Sequence, residues 1–322
     1  MITAWLNKVW YEDHPARWAL YPFSLVFQGI ITVRSWYLKN FRQKKFPVPI
    51  IVVGNINVGG VGKTPLVVEL ARSFSAKDYK VGIVSRGFQA GVKQFPYEVQ
   101  ENDQADLVGD EPLLLAKKAG CPVVIDPDRA EAVRYLCEKK NCNLIISDDG
   151  LQHYRMGRAI EIAVIDYRSM GNGLLLPAGP LREKISRLKT VDFIVANGVK
   201  KQGCYSMELV GNEVIHLKTG KVIPINELQT PIAAVAGLGN PQRFFNSLQE
   251  KGISFKPYPF KDHHSFAEKD FSFPEKIIVM TEKDAVKCTA FAKENFYFLP
   301  VRAELDNAFW EALWCHKQLQ KK

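Results

Sequence analysis

The segment that most constrains the fold runs from Val48 to Pro65, VPIIVVGNINVGGVGKTP. Its apolar start reads as a buried strand. The glycines after it let backbone amides curl around an anion, and Lys63 and Thr64 open a helix whose amino-terminal dipole points at the same place. The eight-residue phosphate-loop pattern asks for glycine at its first position, where this chain has Asn57. Asparagine is among the few other residues that accept a left-handed backbone. The stretch Asn57, Val58, Gly59, Gly60, Val61, Gly62, Lys63, Thr64 and Pro65 is therefore read as a nucleotide phosphate site.

Residues 66–196 alternate helix and strand, the pattern of a doubly wound sheet whose ligands gather at the carboxyl ends of the strands. Residues 80–85 form a strand that delivers Arg86, a candidate contact to a phosphorylated ligand or an ordinary surface arginine. Asp110 and Glu111 precede the helical run 113–118. Asp110 suits a helix cap, and the adjacent pair equally suits a base for a hydroxyl or a magnesium contact. The strand 143–147 ends in Asp148 and Asp149, the place where this fold supplies acidic groups to nucleotide-bound magnesium, with the Thr64 hydroxyl as a further ligand. His153 is expected to turn into the same cleft. Residues 171–183 are too rich in glycine and proline for a regular element and too apolar for a solvated linker, so they read as a shaped loop near the site.

Beyond Lys200 the pattern changes. Residues 205–209 and 213–217, separated by Gly211 and Asn212, carry a hairpin signal. A second α/β unit comes next, with strands at 232–236, 276–280 and 297–301 and a terminal helix over 303–320. Gly237 and Gly239 resemble half of a dinucleotide fingerprint, but its third glycine is replaced by Gln242. Asp262, His263 and His264 lie in a polar turn. Adjacent histidines lack the spacing of a zinc pair, leaving a solvent-facing pair or a histidine oriented by a carboxylate for acid/base work.

The chain of 322 residues carries a formal charge of +9. Residues 1–45 hold seven Lys or Arg against Glu12 and Asp13, so more than half of the excess sits there. The uncharged stretch from Trp18 to Val33 would span about 24 Å as a helix, short of the roughly 30 Å hydrocarbon core. Tryptophan and tyrosine crowd its borders, the composition of an element lying at headgroup depth beside anionic lipid. A nucleic-acid partner is not expected, because the charge sits beside an apolar aromatic segment and not along a polar groove. The six cysteines form no CxxC pair, and no zinc site is expected.

Several blocks together resemble the tetraacyldisaccharide 4'-kinase family: NVGGVGKTP at 57–65, VGDEP at 108–112, DDGLQH at 148–153, LLPAGPLRE at 175–183, AGLGNP at 236–241 and MTEKDAVK at 280–287. The resemblance implies an α/β fold with a P-loop NTPase-like, mostly parallel sheet flanked by helices. An interfacial helical segment (1–45), a kinase core (46–200) and a smaller α/β domain (201–322) joined by a β hinge with a β-hairpin linker are implied with it, the terminal helix packing either on that domain or back on the core. The implied reaction is transfer of the γ-phosphoryl group of ATP, with Mg2+, to the 4'-hydroxyl of the lipid A disaccharide precursor at the cytoplasmic face of the bacterial inner membrane, by a monomer attached to the anionic surface. Lys63 and Thr64 would serve the phosphates and metal, Asp148, Asp149 and Glu111 the metal side, and Asp110 with His263 the catalytic pair. Arg182, Glu183 and Asp262 match further family positions. Because Asp110 and His263 fall in different domains, closure is expected to assemble the site. The competing reading is a membrane-associated P-loop ATPase acting on protein partners.

Overall fold

The structure, a computed structural model, describes residues 2–320. The helices are α1 (Ile2–Tyr11), α2 (Ala16–Phe41), α3 (Lys63–Ser75), α4 (Ala105–Val108), α5 (Asp110–Ala119), α6 (Arg129–Lys140), α7 (Pro241–Glu250), α8 (Glu282–Cys288) and α9 (Asn307–Trp314). They flank two sheets.

The phosphate-loop strand, Ile50–Gly54, lies in the middle of a nine-stranded sheet. It pairs in parallel with Leu144–Ser147 on one side and Ile160–Asp166 on the other. Both faces of that strand are covered, which is why it reads as an unbroken apolar run. Ile51 and Val53 pack into one core with Leu66, Leu70 and Phe74 of α3, while Ile50 and Val52 join Val133 and Leu136 of α6 and Leu151 in the other. Seven strands of the sheet run parallel, with antiparallel edges at Tyr97–Val99 and Arg302–Leu305.

Two sequence expectations about the second half are corrected. The segments flanking Gly211 and Asn212 do not pair with each other: Tyr205–Val210 joins the large sheet beside Phe193–Asn197, and Glu213–His216 joins the smaller one. A Cβ on Gly211 would overlap the Pro300 carbonyl oxygen, so the chain crosses between the sheets where two backbones touch. Residues 302–305 form a strand that pairs with Tyr205–Val210 and precedes α9, where a continuous helix was expected. Asp306, next in the chain, caps α9 by accepting from the Phe309 amide. Phe309 then packs edge-on against Phe193 and Tyr205, at centroid distances of 5.5 and 5.6 Å, so the terminal helix belongs to the large sheet's core.

The second sheet has six strands, with Ile232–Ala236, Phe255–Pro259, Ile277–Thr281 and Phe296–Leu299 parallel. The loop after Ile232–Ala236 reaches the larger sheet, with Asn240 Nδ2 donating to Tyr167 Oη at 3.0 Å, and α8 packs on α5.

The long helix α2 includes Pro22 and buries only Ser24 fully. Phe27 and Ile31 pack on the core, and Ser24 Oγ donates to the Leu175 carbonyl at 2.8 Å. On the other side Trp18, Phe23, Val26, Ile30, Val33, Trp36 and Phe41 are each 58–65% exposed. No described helix is long and apolar enough to cross a membrane.

Candidate active site

The phosphate loop is held from three directions. Val58 N–H donates to the Pro180 carbonyl (2.8 Å), tying it to the 175–183 segment. Asn197 Nδ2 donates to the Val61 carbonyl (2.7 Å), and Arg168 Nη2 to the Gly60 carbonyl (2.8 Å). Gly62 has φ +91°, and a Cβ there would overlap Asn197 Nδ2, so only glycine fits beside this clamp. Lys63 and Thr64 open α3, and Pro65 sits in its first turn, where a missing N–H costs nothing.

Asn57 behaves differently from the sequence expectation. The left-handed residues of the loop are Gly59 and Gly62, and Asn57 is not among them. It is buried, donates from Nδ2 to the Ser169 carbonyl (3.2 Å) and accepts from Asn55 Nδ2 (3.0 Å). Its amide is used as a brace, and its backbone needs no special freedom.

Lys63 reaches back along the strand end, donating to Asn55 Oδ1 (3.2 Å) and standing 3.4 Å from Asp149 Oδ1. Arg182 Nη1 holds the other carboxylate oxygen at 2.9 Å. Burial alone would raise the Asp149 carboxyl, but Lys63 and Arg182 outweigh it and hold the group well below its usual range. Asp148 has the opposite fate. It is fully buried, and burial, Glu111 and Asp149 push its carboxyl up to about 7, with Oδ1 lacking any hydrogen-bond partner. A buried carboxylate oxygen without a donor fits a cation better than it fits an empty site. Beneath both lies Arg129, whose Nη1 donates to the Asp149 carbonyl at 2.9 Å.

The second cluster comes from both halves of the chain. Gly109, at φ +91° and with a would-be Cβ 2.9 Å from the Phe88 carbonyl, turns the backbone into α5. Asp110 is thus the first helical residue and Gly109 holds the cap position, which corrects the capping alternative for Asp110. Its carboxylate accepts from His263 Nδ1, at 3.0 Å to Oδ2 and 3.1 Å to Oδ1. Lys283 and Lys287 stand 3.8 and 3.9 Å away. Burial would raise Asp110, and the hydrogen bond from His263 and the charge of Lys283 reverse that, leaving it below its ordinary value. The same hydrogen bond raises His263. Phe88 packs on the His263 ring at a centroid distance of 5.5 Å. Glu111 pairs with Lys283 at 2.9 Å, and Asp262 lies 3.5 Å from the same ammonium. A Cβ on Gly239 would lie 3.0 Å from Asp262 Oδ2 and 3.9 Å from Gly60 N, so the second cluster adjoins the phosphate loop.

The remaining sequence candidates divide. Glu183 is buried and accepts from Tyr154 Oη and from Gln152 Nε2 (3.0 Å), so it orients loop side chains beside Arg182. Arg86 is exposed just beyond its strand. His153 does not turn toward Lys63: its Nε2 lies 3.7 Å from Asp128 Oδ1, and burial beside Arg129 lowers it to about 4. Of His263 and His264, only the first joins the site; His264 Nε2 faces Asp270 Oδ2 at 3.1 Å. Among the described residues, no group of three or more His, Cys, Asp or Glu side chains is arranged to hold a metal. For a metal that travels with nucleotide phosphates, fewer protein ligands suffice.

Sequence reading missed Asn55, Arg168, Asn197, Arg243, Lys283 and Lys287. Arg243, in α7, donates to Asn197 Oδ1 and so touches the clamp on the phosphate loop from the smaller sheet's side. A glycine-flanked strand end at 197–198 and the lysines of TEKDAVK were visible, but nothing local says which cleft they enter.

Known proteins resemble this chain in sequence and fold. Residues 16–318 match the family described as tetraacyldisaccharide-1-P 4'-kinase. A tetraacyldisaccharide 4'-kinase of Legionella pneumophila (strain Lens) is 55% identical over 320 residues, covering 99% of both chains. One from Nitrosococcus oceani is 42% identical over 307 residues, covering 94% of this chain and 91% of that one. The crystal structure of LpxK from Aquifex aeolicus in complex with ATP superposes with a TM-score of 0.78 at 29% identity, covering 94% of this chain and 99% of that one. The chain belongs to the tetraacyldisaccharide-1-phosphate 4'-kinase family.

Proposed function

We propose that this ATP-dependent tetraacyldisaccharide 4'-kinase carries out phosphoryl transfer with Lys63 on the donor side and Asp110, backed by His263, on the acceptor side. The observation that carries the assignment is the Asp110–His263 contact, in which elements leading from different sheets hold a carboxylate of lowered pKa. The phosphate-loop amides and Lys63 spread the charge of the transferring group, an electrostatic task that dominates phosphoryl transfer. Asp110 accepts or orients the proton of the 4'-hydroxyl, and His263 fixes the carboxylate and balances its charge. Lys283 neutralises Glu111 and keeps its own proton, because three carboxylates outweigh the effect of burial.

Mg2+ fits the Thr64 hydroxyl and Asp148, with Asp149 and Glu111 as outer partners, and when bound supplies charge neutralisation on the phosphates. Asp149 is already engaged by Lys63 and Arg182, which leaves the unpartnered Asp148 oxygen as the acidic contact.

The exposed apolar side of α2 and the basic excess of residues 1–45 support attachment of a monomer to the cytoplasmic face of the inner membrane, where the lipid acceptor presents its sugar at headgroup depth. In this reading residues 1–45 attach, the unit of the larger sheet holds the nucleotide and that of the smaller sheet brings His263. Purified protein incubated with γ-labelled ATP and tetraacyldisaccharide 1-phosphate in mixed micelles should move label into the organic phase. Label released only as inorganic phosphate would favour the ATPase alternative.

A further inference from the structure

Two strand ends of the larger sheet are gripped from both sides, by the phosphate loop and by the smaller-sheet unit. Beyond the end of Ile160–Asp166, Arg168 is held by Asp166 Oδ2, through Nε at 2.9 Å and Nη2 at 2.6 Å, while it reaches the Gly60 carbonyl. Tyr167, between them, accepts from Asn240 of the smaller unit. At the end of Phe193–Asn197, Asn197 Nδ2 donates to the Val61 carbonyl and Oδ1 accepts from Arg243 Nη2 of α7. Neither link to the smaller unit takes part in the chemistry assigned to Lys63 and Asp110.

The two grips are unequal. Tyr167 is 59% exposed, so water can replace its bond to Asn240 at little cost. Asn197 is 1% exposed, and among the described residues its carboxamide has only the two partners named. A carbonyl only accepts and a guanidinium only donates, so together they fix which way the carboxamide points, nitrogen to the phosphate loop and oxygen to α7. Burial lowers the pKa of Arg243 from its ordinary value, and among the described residues it makes no ion pair, so Asn197 Oδ1 receives a charge-assisted bond in a place shielded from water. Without the guanidinium the carboxamide is free to turn and release Val61.

The orientation of Val61 matters for its neighbour. The peptide between Val61 and Gly62 is trans, so a carbonyl drawn to Asn197 turns the Gly62 N–H to the opposite side. Among the described residues that N–H finds no acceptor, which leaves it for an anion in the loop. We propose that Arg243 and Asn197 are positioning residues of the nucleotide site: the smaller-sheet unit, through Arg243, locks the Asn197 carboxamide, and the carboxamide holds the Val61–Gly62 peptide in its phosphate-binding orientation. The proposal rests on the reading of residues 57–65 as the ATP site.

Arg243→Ala removes the lock, and Arg243→Lys keeps a cation that donates to Asn197. For both, for Asn197→Ala and for the double variant, the Kd for Mg·ATP is measured by equilibrium dialysis, with thermal melting and KM for the lipid acceptor alongside. R243A should weaken Mg·ATP binding about tenfold, the loss of one hydrogen bond to a charged group, while acceptor KM stays unchanged. R243K should recover part of that affinity. Because Arg243 acts through Asn197, adding R243A to Asn197→Ala should cost no more than Asn197→Ala alone. If Asn197→Ala fails to fold, Asn197→Ser, polar but too short to span both partners, replaces it in the cycle. An unchanged Kd in R243A, equal losses for nucleotide and acceptor, or additive losses in the double variant overturn the proposal, the last because Arg243 would then touch the nucleotide itself. Failure of the wild-type protein to bind Mg·ATP would instead overturn the reading of the loop, with no variant involved.

Discussion

His263 Nδ1 stands 3.0 Å from Asp110 Oδ2, although 153 positions separate the two residues and each leads from a different sheet. The contact holds the Asp110 carboxylate in place and joins the two halves of the chain. In this structure the two side chains are already in contact.

The pair has a defined pH window. Asp110 titrates below its ordinary 3.8, so its contribution is present above that value and is lost as pH falls through the folded value. His263 titrates above 6.5, so its contribution is full below 6.5 and is lost as pH rises through its folded value. Following the His263 ring by NMR should give a pKa above 6.5 that returns toward 6.5 in Asp110→Asn. An unshifted His263 in the wild-type protein would contradict the ion pair.

Lys63→Ala removes the proposed phosphate contact and one of the cations, with Arg182 and Arg129, that hold Asp149 ionised. Both lipid phosphorylation and background ATP hydrolysis should fall by at least ~10²-fold, within the range of losing one strong transition-state contact. Parallel assays of labelled lipid and free phosphate check this; loss of one activity alone would point to a different role.

Asn57→Gly restores the glycine that the phosphate-loop pattern asks for, yet it should destabilise the protein. The change strips a buried amide that donates to Ser169 and accepts from Asn55, leaving the Ser169 carbonyl without that donor and Asn55 Nδ2 with only the Gly59 carbonyl, at a cost on the order of 1–3 kcal/mol. Denaturant unfolding of the two proteins measures it, and equal midpoints would show that the brace is dispensable.

That residue also marks the limit of what a sequence can say. The strand Ile50–Gly54, the glycines, and Lys63 opening α3 were legible because the order of strand, loop and helix is a local pattern. Asp148 and Asp149 were legible for the same reason, as the end of an apolar strand. Which side chain braces the loop was not, because Ser169 lies 112 positions from Asn57. The strand at Tyr205–Val210 was readable as a strand, but alternation carries no information about its partner, and a short Gly-Asn link favoured the hairpin that the close backbone at Gly211 and Pro300 prevents. Arg243 and Lys283 were hidden for a third reason: a long basic side chain on a helix looks alike whether it meets water or a buried carboxylate.

The outward face of α2 predicts membrane attachment without loss of fold. Val26→Glu with Val33→Glu changes two side chains that are 63% and 65% exposed, so thermal stability should stay near wild type. Sedimentation with anionic vesicles should fall, since charge at headgroup depth opposes insertion of the apolar stripe. Equal partitioning of variant and wild-type protein would rule out this face as the attachment surface.

The central claim is that Asp110 acts on the acceptor hydroxyl, and Asp110→Asn tests it most directly. The measurement is the rate of label transfer from ATP to tetraacyldisaccharide 1-phosphate alongside the dissociation constant for Mg·ATP. An acceptor-side base predicts a fall in kcat of about 10²–10⁴-fold, with nucleotide affinity nearly unchanged. Loss of nucleotide affinity in proportion to rate would contradict it and place Asp110 on the metal or the nucleotide.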